Sequence, residues 1–394
     1  MPAVKKCQPL AKVIVKAGPH TRRECPLVFP LDPKLLKTKT PAELARVGIC
    51  EHEREEECCQ AWSQVLLDKH GQPCVAMILD YLPAQTERTY HLCRAAKARP
   101  VCCGVQVQNS AANKIVDVGV LGTWFTTYNY GREHARPHLA PVNGPFGASV
   151  TWGGPPDHKH HRSLWVAHGE VNGADNWSEN PGHAKTVNEK IAVASGPALG
   201  LIRATNSWRT AQGKRLLAEQ AEFVFYATAY EQRIVDVNVA LTATEADVLF
   251  GDTKEGGTLS VRVAPSLEVE ETGTLINSYG GVNEKEVWGK RAQWCDYSGL
   301  LEGRVAGIAV FDHPSNFRHP VWWHARNYGL MTANLFGLSH FTGDKDQRGD
   351  FTLEKGETLA LRYRVLVHAG NACEANVAEK YHDFANPPAV EMSK

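Results

Sequence analysis

The sequence predicts an all-β protein, a large antiparallel β-sandwich with few short helices. Three observations carry that reading. Apolar residues alternate with polar ones at a period of two in several segments. Gly, Asn, Asp and Pro punctuate the gaps between those segments. Helical patterns are confined to two short stretches.

In chain order, the first element is a short helix over 41–47, behind Thr40 as its cap. Strands follow over 115–120, 124–130, 163–167 and 222–229. The next strand is the clearest. Val235, Val237, Val239 and Leu241 alternate with Asp236, Asn238 and Ala240. Further strands are expected over 259–263 and 305–311. In the last, Leu359, Leu361, Tyr363, Val365 and Val367 alternate with Arg362 and Arg364, the pattern of a half-buried strand. A helix over 375–384 completes the series.

The 394 residues change character near position 105. Nine of the 11 Cys lie at or before Cys103, whereas nine of the ten Trp and 13 of the 17 His lie beyond it. We therefore divide the chain into a β-rich front segment, 1–105, and a sandwich carrying the site, 106–385. The front segment either completes the sandwich or is appended to it. Lys+Arg and Asp+Glu balance at 43 each, so no global field draws in nucleic acid or a membrane. No apolar run reaches the ~18 residues of a membrane span, and no apolar stretch follows the basic start. A cytoplasmic location is expected. The Cys include the adjacent pairs Cys58-Cys59 and Cys102-Cys103 and no Cys-x-x-Cys, which reads as free thiols rather than a disulfide framework.

Seven His fall between His134 and His183, more than packing alone explains. The densest run is Asp157-His158-Lys159-His160-His161-Arg162, with His168 and Asn172 close behind. Pro155-Pro156 blocks a helix before it. If extended, the run sets His158 and His160 on one face and His161 on the other. Such imidazoles suit a general acid or a metal site; the alternative is a surface loop held by Asp157. Upstream, Arg136 suits a bidentate contact with substrate oxygens, between His134 and His138, which are as readily exposed as functional. The second concentration is Gly251-Asp252-Thr253-Lys254-Glu255-Gly256-Gly257. There Glu255 suits a general base and Asp252 an orienting group, with Arg262 on the next strand; the alternative is an acidic turn. Third is Trp322-Trp323-His324-Ala325-Arg326-Asn327-Tyr328, a stacking platform for a sugar ring or a buried tryptophan pair. No dinucleotide fingerprint, P-loop, zincin or Gly-x-Ser-x-Gly motif is present.

These motifs together resemble the PmoA-like family, a domain of uncertain function. The matches are Arg136-Pro137, the 157–165 run with His168-Gly169 and Val171-Asn172-Gly173, the 251–257 run with Arg262-Val263-Ala264, Trp294-Cys295-Asp296-Tyr297-Ser298-Gly299, Asp312-His313-Pro314 and Trp323-His324-Ala325-Arg326 with Tyr328-Gly329. The departure is Ser163, where that family usually carries Gly. The resemblance implies a fold similar to the galactose-mutarotase-like supersandwich and not a methane oxygenase. It implies acid–base chemistry on a sugar or sugar derivative, of epimerase, mutarotase or lyase type. His158 or His161 would be the acid and Glu255 the base, with His168 and His324 polarising oxygens. Arg136, Arg162, Asn172, Asp252 and Arg262 would bind substrate and Trp323 would stack. No organic cofactor is required. The variants are a metal-dependent enzyme with a divalent ion on His158, His160 and His324, and a non-catalytic carbohydrate-binding or accessory protein. The partner expected is a small-molecule or oligosaccharide ligand.

Overall fold

The computed structural model describes residues 8–51, 62–95, 104–229 and 231–393. Strands account for 51% and helices for 8%, so the all-β expectation holds. Two eight-stranded antiparallel sheets dominate. The first runs, edge to edge, through Trp322–Ala325, Leu330–Asn334, Gly256–Arg262, Leu164–His168, His138–Val142, Thr123–Asn129, Ile115–Val120 and Val105–Ser110. The second runs through Lys185–Ala194, Leu199–Arg209, Arg215–Tyr226, Gln232–Thr242, Thr358–Ala369, Arg304–Asp312, Trp294–Leu301 and Thr274–Asn277. One apolar cluster spans both inner faces, from Val116, Val118 and Leu164 on the first to Val235, Val237, Val365 and Val367 on the second. Period-two strands with one apolar face leave no other way to bury that face.

The half-buried reading of the Thr358–Ala369 strand holds as far as Tyr363, where exposed and buried residues alternate, and needs correction beyond it. Leu366 and Ile234 point outward into a second apolar cluster, with Tyr381 and Phe384 of the helix Val377–Ala385 and with Ala76 and Ile78 of the front segment. Asp236 and Arg364 therefore lie buried on the outer face, paired through Nε–Oδ1 at 2.6 Å and Nη2–Oδ2 at 2.9 Å. A charge at alternate positions here marks a covered face that satisfies its ions internally.

The front strands join neither large sheet. Gln8–Lys16, Glu87–Arg94 and Val47–Cys50 form one small sheet, completed at its edge by the C-terminal strand Ala389–Ser393. Arg22–Pro30, Pro73–Leu82 and Ser63–Leu67 form another. These two have a core of their own, including Val13, Leu27, Ile49, Leu79 and Leu92, and they dock on the outer face of the second sheet. The expectation of free thiols fails at Cys50, which is disulfide-bonded; the thiol argument for a reducing compartment loses that support. The pairs Cys58-Cys59 and Cys102-Cys103 lie outside the described residues. Among the described residues no helix is long and apolar enough to cross a membrane.

Candidate functional site

Alternation on the first sheet decides which motif residues meet. On Leu164–His168, Leu164 and Val166 enter the sandwich core, so Trp165 faces outward, packed against Trp177. On Trp322–Ala325, Trp323 and Ala325 enter the core, and His324 takes the outer face. Arg262, next after Val261, faces outward by the same parity. Trp165, Arg262 and His324 thus stand on one face, and the loops 151–163, 175–179 and 326–329 gather over it.

The His run is a turn rather than an extended segment. The amide of His158 donates to the Pro155 carbonyl at 3.1 Å and that of His161 to the His158 carbonyl at 2.9 Å. His158 and His161 consequently share a face, stacked at 4.7 Å and 6° between ring planes. Tyr328 stacks on His158 at 4.7 Å and lies 6.4 Å from His161, and Trp165 stacks on His161 at 5.5 Å. The four rings make one cluster, with Trp177 and His160 set edge-on against His161. Ser163, at φ +72, adopts the left-handed backbone that favours glycine, and its hydroxyl donates to Thr151 Oγ1 at 2.6 Å, one of the two roles open to that pair.

Arg262 organises one side of the ring cluster. Its Nη2 contacts Asp157 Oδ2 at 3.0 Å and Glu268 Oε1 at 2.9 Å, and its guanidinium lies over the Tyr328 ring at 5.0 Å. Asp157 in turn holds His158 Nδ1 at 2.7 Å. Burial raises the Asp157 pKa, but the hydrogen bonds from His158 and Arg262 outweigh it and keep the carboxyl below its ordinary value. His161 is 1% exposed, and its Nδ1 receives the Arg262 Nη1 donor at 3.4 Å. Burial, then the neighbouring His160, His158 and Arg262, push its pKa far down. It is a neutral packing ring, which does not suit the acid role expected of it.

The opposite side is built by 251–257. Gly256 and Gly257 have φ of +80 and +138, and a Cβ on Gly257 would approach Asn334 Cα at 2.4 Å. Only glycine lets this loop press onto the neighbouring strand, and that closeness delivers the Lys254 carbonyl to His324 Nδ1 at 2.5 Å. His324 therefore carries its proton on Nδ1 and keeps Nε2 as an open lone pair. Burial lowers its pKa to about 4, against the pull of the Glu255 carboxylate. Glu255 is ion-paired with Lys254 and its side chain is 40% exposed. Burial opposes ionisation there, but Lys254, His324 and His160 bring its pKa below the ordinary value.

Several expected binding residues have structural duties instead. Trp323 is fully buried, and its Nε1 donates to the Ala292 carbonyl at 2.9 Å, so no ring face is open for stacking. His168 is buried against Phe336, with Nε2 at 2.9 Å from the Gly251 carbonyl. Asn172 holds the 247–249 backbone, accepting from Leu249 N at 2.7 Å. Asp252 accepts from Ser339 N at 3.1 Å and Gly349 N at 2.8 Å. Arg136 and Arg162 both pair with Glu179, Arg136 at 2.8 Å, and Arg136 also donates to the carbonyls of Trp177 and His160. They fix the loop beneath His160. His138 is buried with Nδ1 near the Arg136 carbonyl, and His134 packs edge-on against it. Among the described residues no three His, Cys, Asp or Glu converge as metal ligands, so His158, His160 and His324 are not a ligand set: His158 is turned onto His161 and Tyr328.

Sequence reasoning missed Tyr328 as the stacking ring, Trp177, Glu179, Glu268 and Glu284. Tyr328 was legible, sitting two residues from Arg326; the carboxylates carried no local signal. Two cavities, of about 350 and 360 Å³, contain none of the histidine-site residues.

A family of unknown function, DUF6807, has a model that matches residues 115–383, well over half of the chain. No curated protein matches. The matched region covers the ring cluster, the 251–257 loop and His324, and excludes the front segment. The expected PmoA-like membership is corrected by this match, and with it goes the support that resemblance lent to sugar chemistry.

Proposed function

Since the chain belongs to the DUF6807 family, whose function is unknown, we propose from its residues alone that it acts on a sugar or sugar derivative by acid–base chemistry, of epimerase, mutarotase or lyase type. The observation that carries this reading is the pairing of two proton-handling centres around one cluster of aromatic rings. His158, held by Asp157 at 2.7 Å, is the general acid, and the carboxylate fixes the orientation of its ring. Glu255 is the general base, ionised near neutral pH. His324 offers its Nε2 lone pair to a substrate hydroxyl or to the proton Glu255 removes. Tyr328 stands half-buried beside them, stacked on His158. A reaction that only moves protons on one ring needs nothing further from the chain.

The test is an NMR screen of purified protein against aldoses and keto-sugars, watching for anomeric exchange, epimerisation or elimination. His158→Ala and Glu255→Ala should each lower turnover by at least 100-fold, in line with the ~10²–10⁴ of a positioned acid or base, while thermal unfolding stays close to that of the parent. Undiminished turnover in both variants would remove these assignments. Ligand-induced thermal shifts without product would replace the enzyme with a carbohydrate-binding protein.

A further inference from the structure

Arg326 is built into the outer face of the first sheet but leaves its donors free. It follows Ala325, which enters the core, so it points outward on the same face as His324. Its backbone is pinned. The amide donates to the Leu330 carbonyl at 2.8 Å, and the carbonyl accepts from Gly329 N at 2.9 Å and from the Tyr297 hydroxyl. The guanidinium lies over the Tyr328 ring at 5.6 Å, and Tyr328 stacks on His158. The other arginines around the ring cluster donate to protein oxygens: Arg262 to Asp157 and Glu268, Arg162 to Glu179, and Arg136 to Glu179 and two carbonyls. Among the described residues no side-chain donor of Arg326 meets an acceptor. Its Nε is buried and lies 3.0 Å from Glu284 Oε1, yet makes no hydrogen bond with it.

Glu284 is itself fixed to the loop. Its Oε2 accepts from Asn327 N at 2.9 Å, and its own amide donates to Asn327 Oδ1 at 3.0 Å. The carboxylate therefore offsets part of the Arg326 charge from the Nε side without occupying the Nη1 and Nη2 donors, and the Arg326 side chain is 32% exposed. Two parallel N–H groups on a planar guanidinium match the two oxygens of a carboxylate. A phosphate ester brings further charge and a third oxygen, and no second guanidinium with free donors stands beside Arg326 to meet them. Lys159, exposed next to His158 in the turn, and His158 when protonated add positive charge to the same site, which favours an anion over a neutral ligand. We propose that the substrate is a sugar acid of the uronate class, and that Arg326 is the specificity-determining residue, holding its carboxylate through Nη1 and Nη2. This inference rests on the sugar-directed reading above and narrows it.

The experiment is ligand-observed NMR titration of the full chain at low ionic strength with matched sets: glucose, glucuronate and glucose 6-phosphate, then galactose and galacturonate. At least one uronate should bind about tenfold or more tightly than its neutral counterpart, the worth of a hydrogen bond to a charged group. Glucose 6-phosphate should bind more weakly than glucuronate. In Arg326→Gln the uronate affinity should fall by about tenfold or more. Arg326→Lys, which keeps the charge but not the fork, should recover only part of that loss. Both variants should unfold thermally close to the parent, because neither removes a side-chain hydrogen bond of the fold. A neutral sugar binding as tightly as its uronate, or a uronate affinity unchanged in Arg326→Gln, overturns the inference and leaves the sugar-directed reading intact. Full affinity in Arg326→Lys overturns the paired-donor contact, and glucose 6-phosphate binding as tightly as glucuronate overturns the choice of a carboxylate. Binding by no member of either set overturns this inference and the sugar-directed reading together.

Discussion

His324 and His168 show how burial sets the state of a single residue. Desolvation lowers both pKa values to about 4, whereas an unfolded imidazole titrates near 6.5. Between those pH values the unfolded chain binds protons that the native state refuses, so stability is fully present above about pH 6.5 and falls as pH drops toward 4. At ~1.4 kcal/mol per pH unit for each group, the pair removes several kcal/mol across the window. Denaturant titrations at pH 7 and pH 4.5 should differ accordingly, and the difference should shrink in His168→Gln. Equal stabilities at both pH values would mean these rings are protonated in the native state. The adjacent Trp323 and His324 make a related point. Both stood out as candidate site residues, yet strand parity sends one into the core and the other to the open face, and no property of either residue distinguishes those outcomes.

At the scale of elements, the glycine-bracketed loop 251–257 was recognised from sequence as a concentration of charge, but its members have separate tasks. Glu255 faces the site, while Asp252 ties down both ends of the segment 338–350 through Ser339 N and Gly349 N. That segment carries Phe341, whose ring stands edge-on to His324 at 6.4 Å and to Trp288 at 5.4 Å. Asp252→Ala leaves two amides without their acceptor, at ~1–3 kcal/mol for each if they stay buried. The cost should fall locally, as faster proteolytic cleavage within 343–348, with little change at distant sites. Parent-like cleavage would show that the clamp is dispensable. The His run illustrates the opposite limit. An extended run would set His158 and His161 on opposite faces, but Pro155 and the left-handed Ser163 close it into a turn that stacks the two rings.

Across the whole molecule, the front unit is held by ions as well as by apolar contact. Arg22, 1% exposed, pairs with Asp383 at 3.1 Å and donates to the carbonyls of Ala17, His382 and Asn386. It links the Arg22–Pro30 strand to the helix Val377–Ala385. Removing one partner of a buried pair costs roughly 3–5 kcal/mol; Lys380, 3.7 Å from Asp383, compensates in part. Arg22→Ala should therefore lose an amount near the lower end of that range in chemical denaturation. A loss below about 1 kcal/mol, the worth of an exposed pair, would mean the front unit docks by apolar contact alone.

The sequence by itself determined the class of fold, because a period of two with turn residues between strands can bury its apolar face only in a sheet that packs on another. It also determined which three stretches carry the chemistry-bearing residues, since their density is a local property. Only the tertiary structure decided which of those residues meet. Glu179, Glu268 and Glu284 neutralise arginines far from them in sequence or across a loop. His324 becomes a neutral acceptor only because two glycines let the 251–257 loop press onto its neighbour. Pairing and burial are properties of distance in space, and the histidine run that signals the site in sequence acquires its charge state from partners the run does not contain.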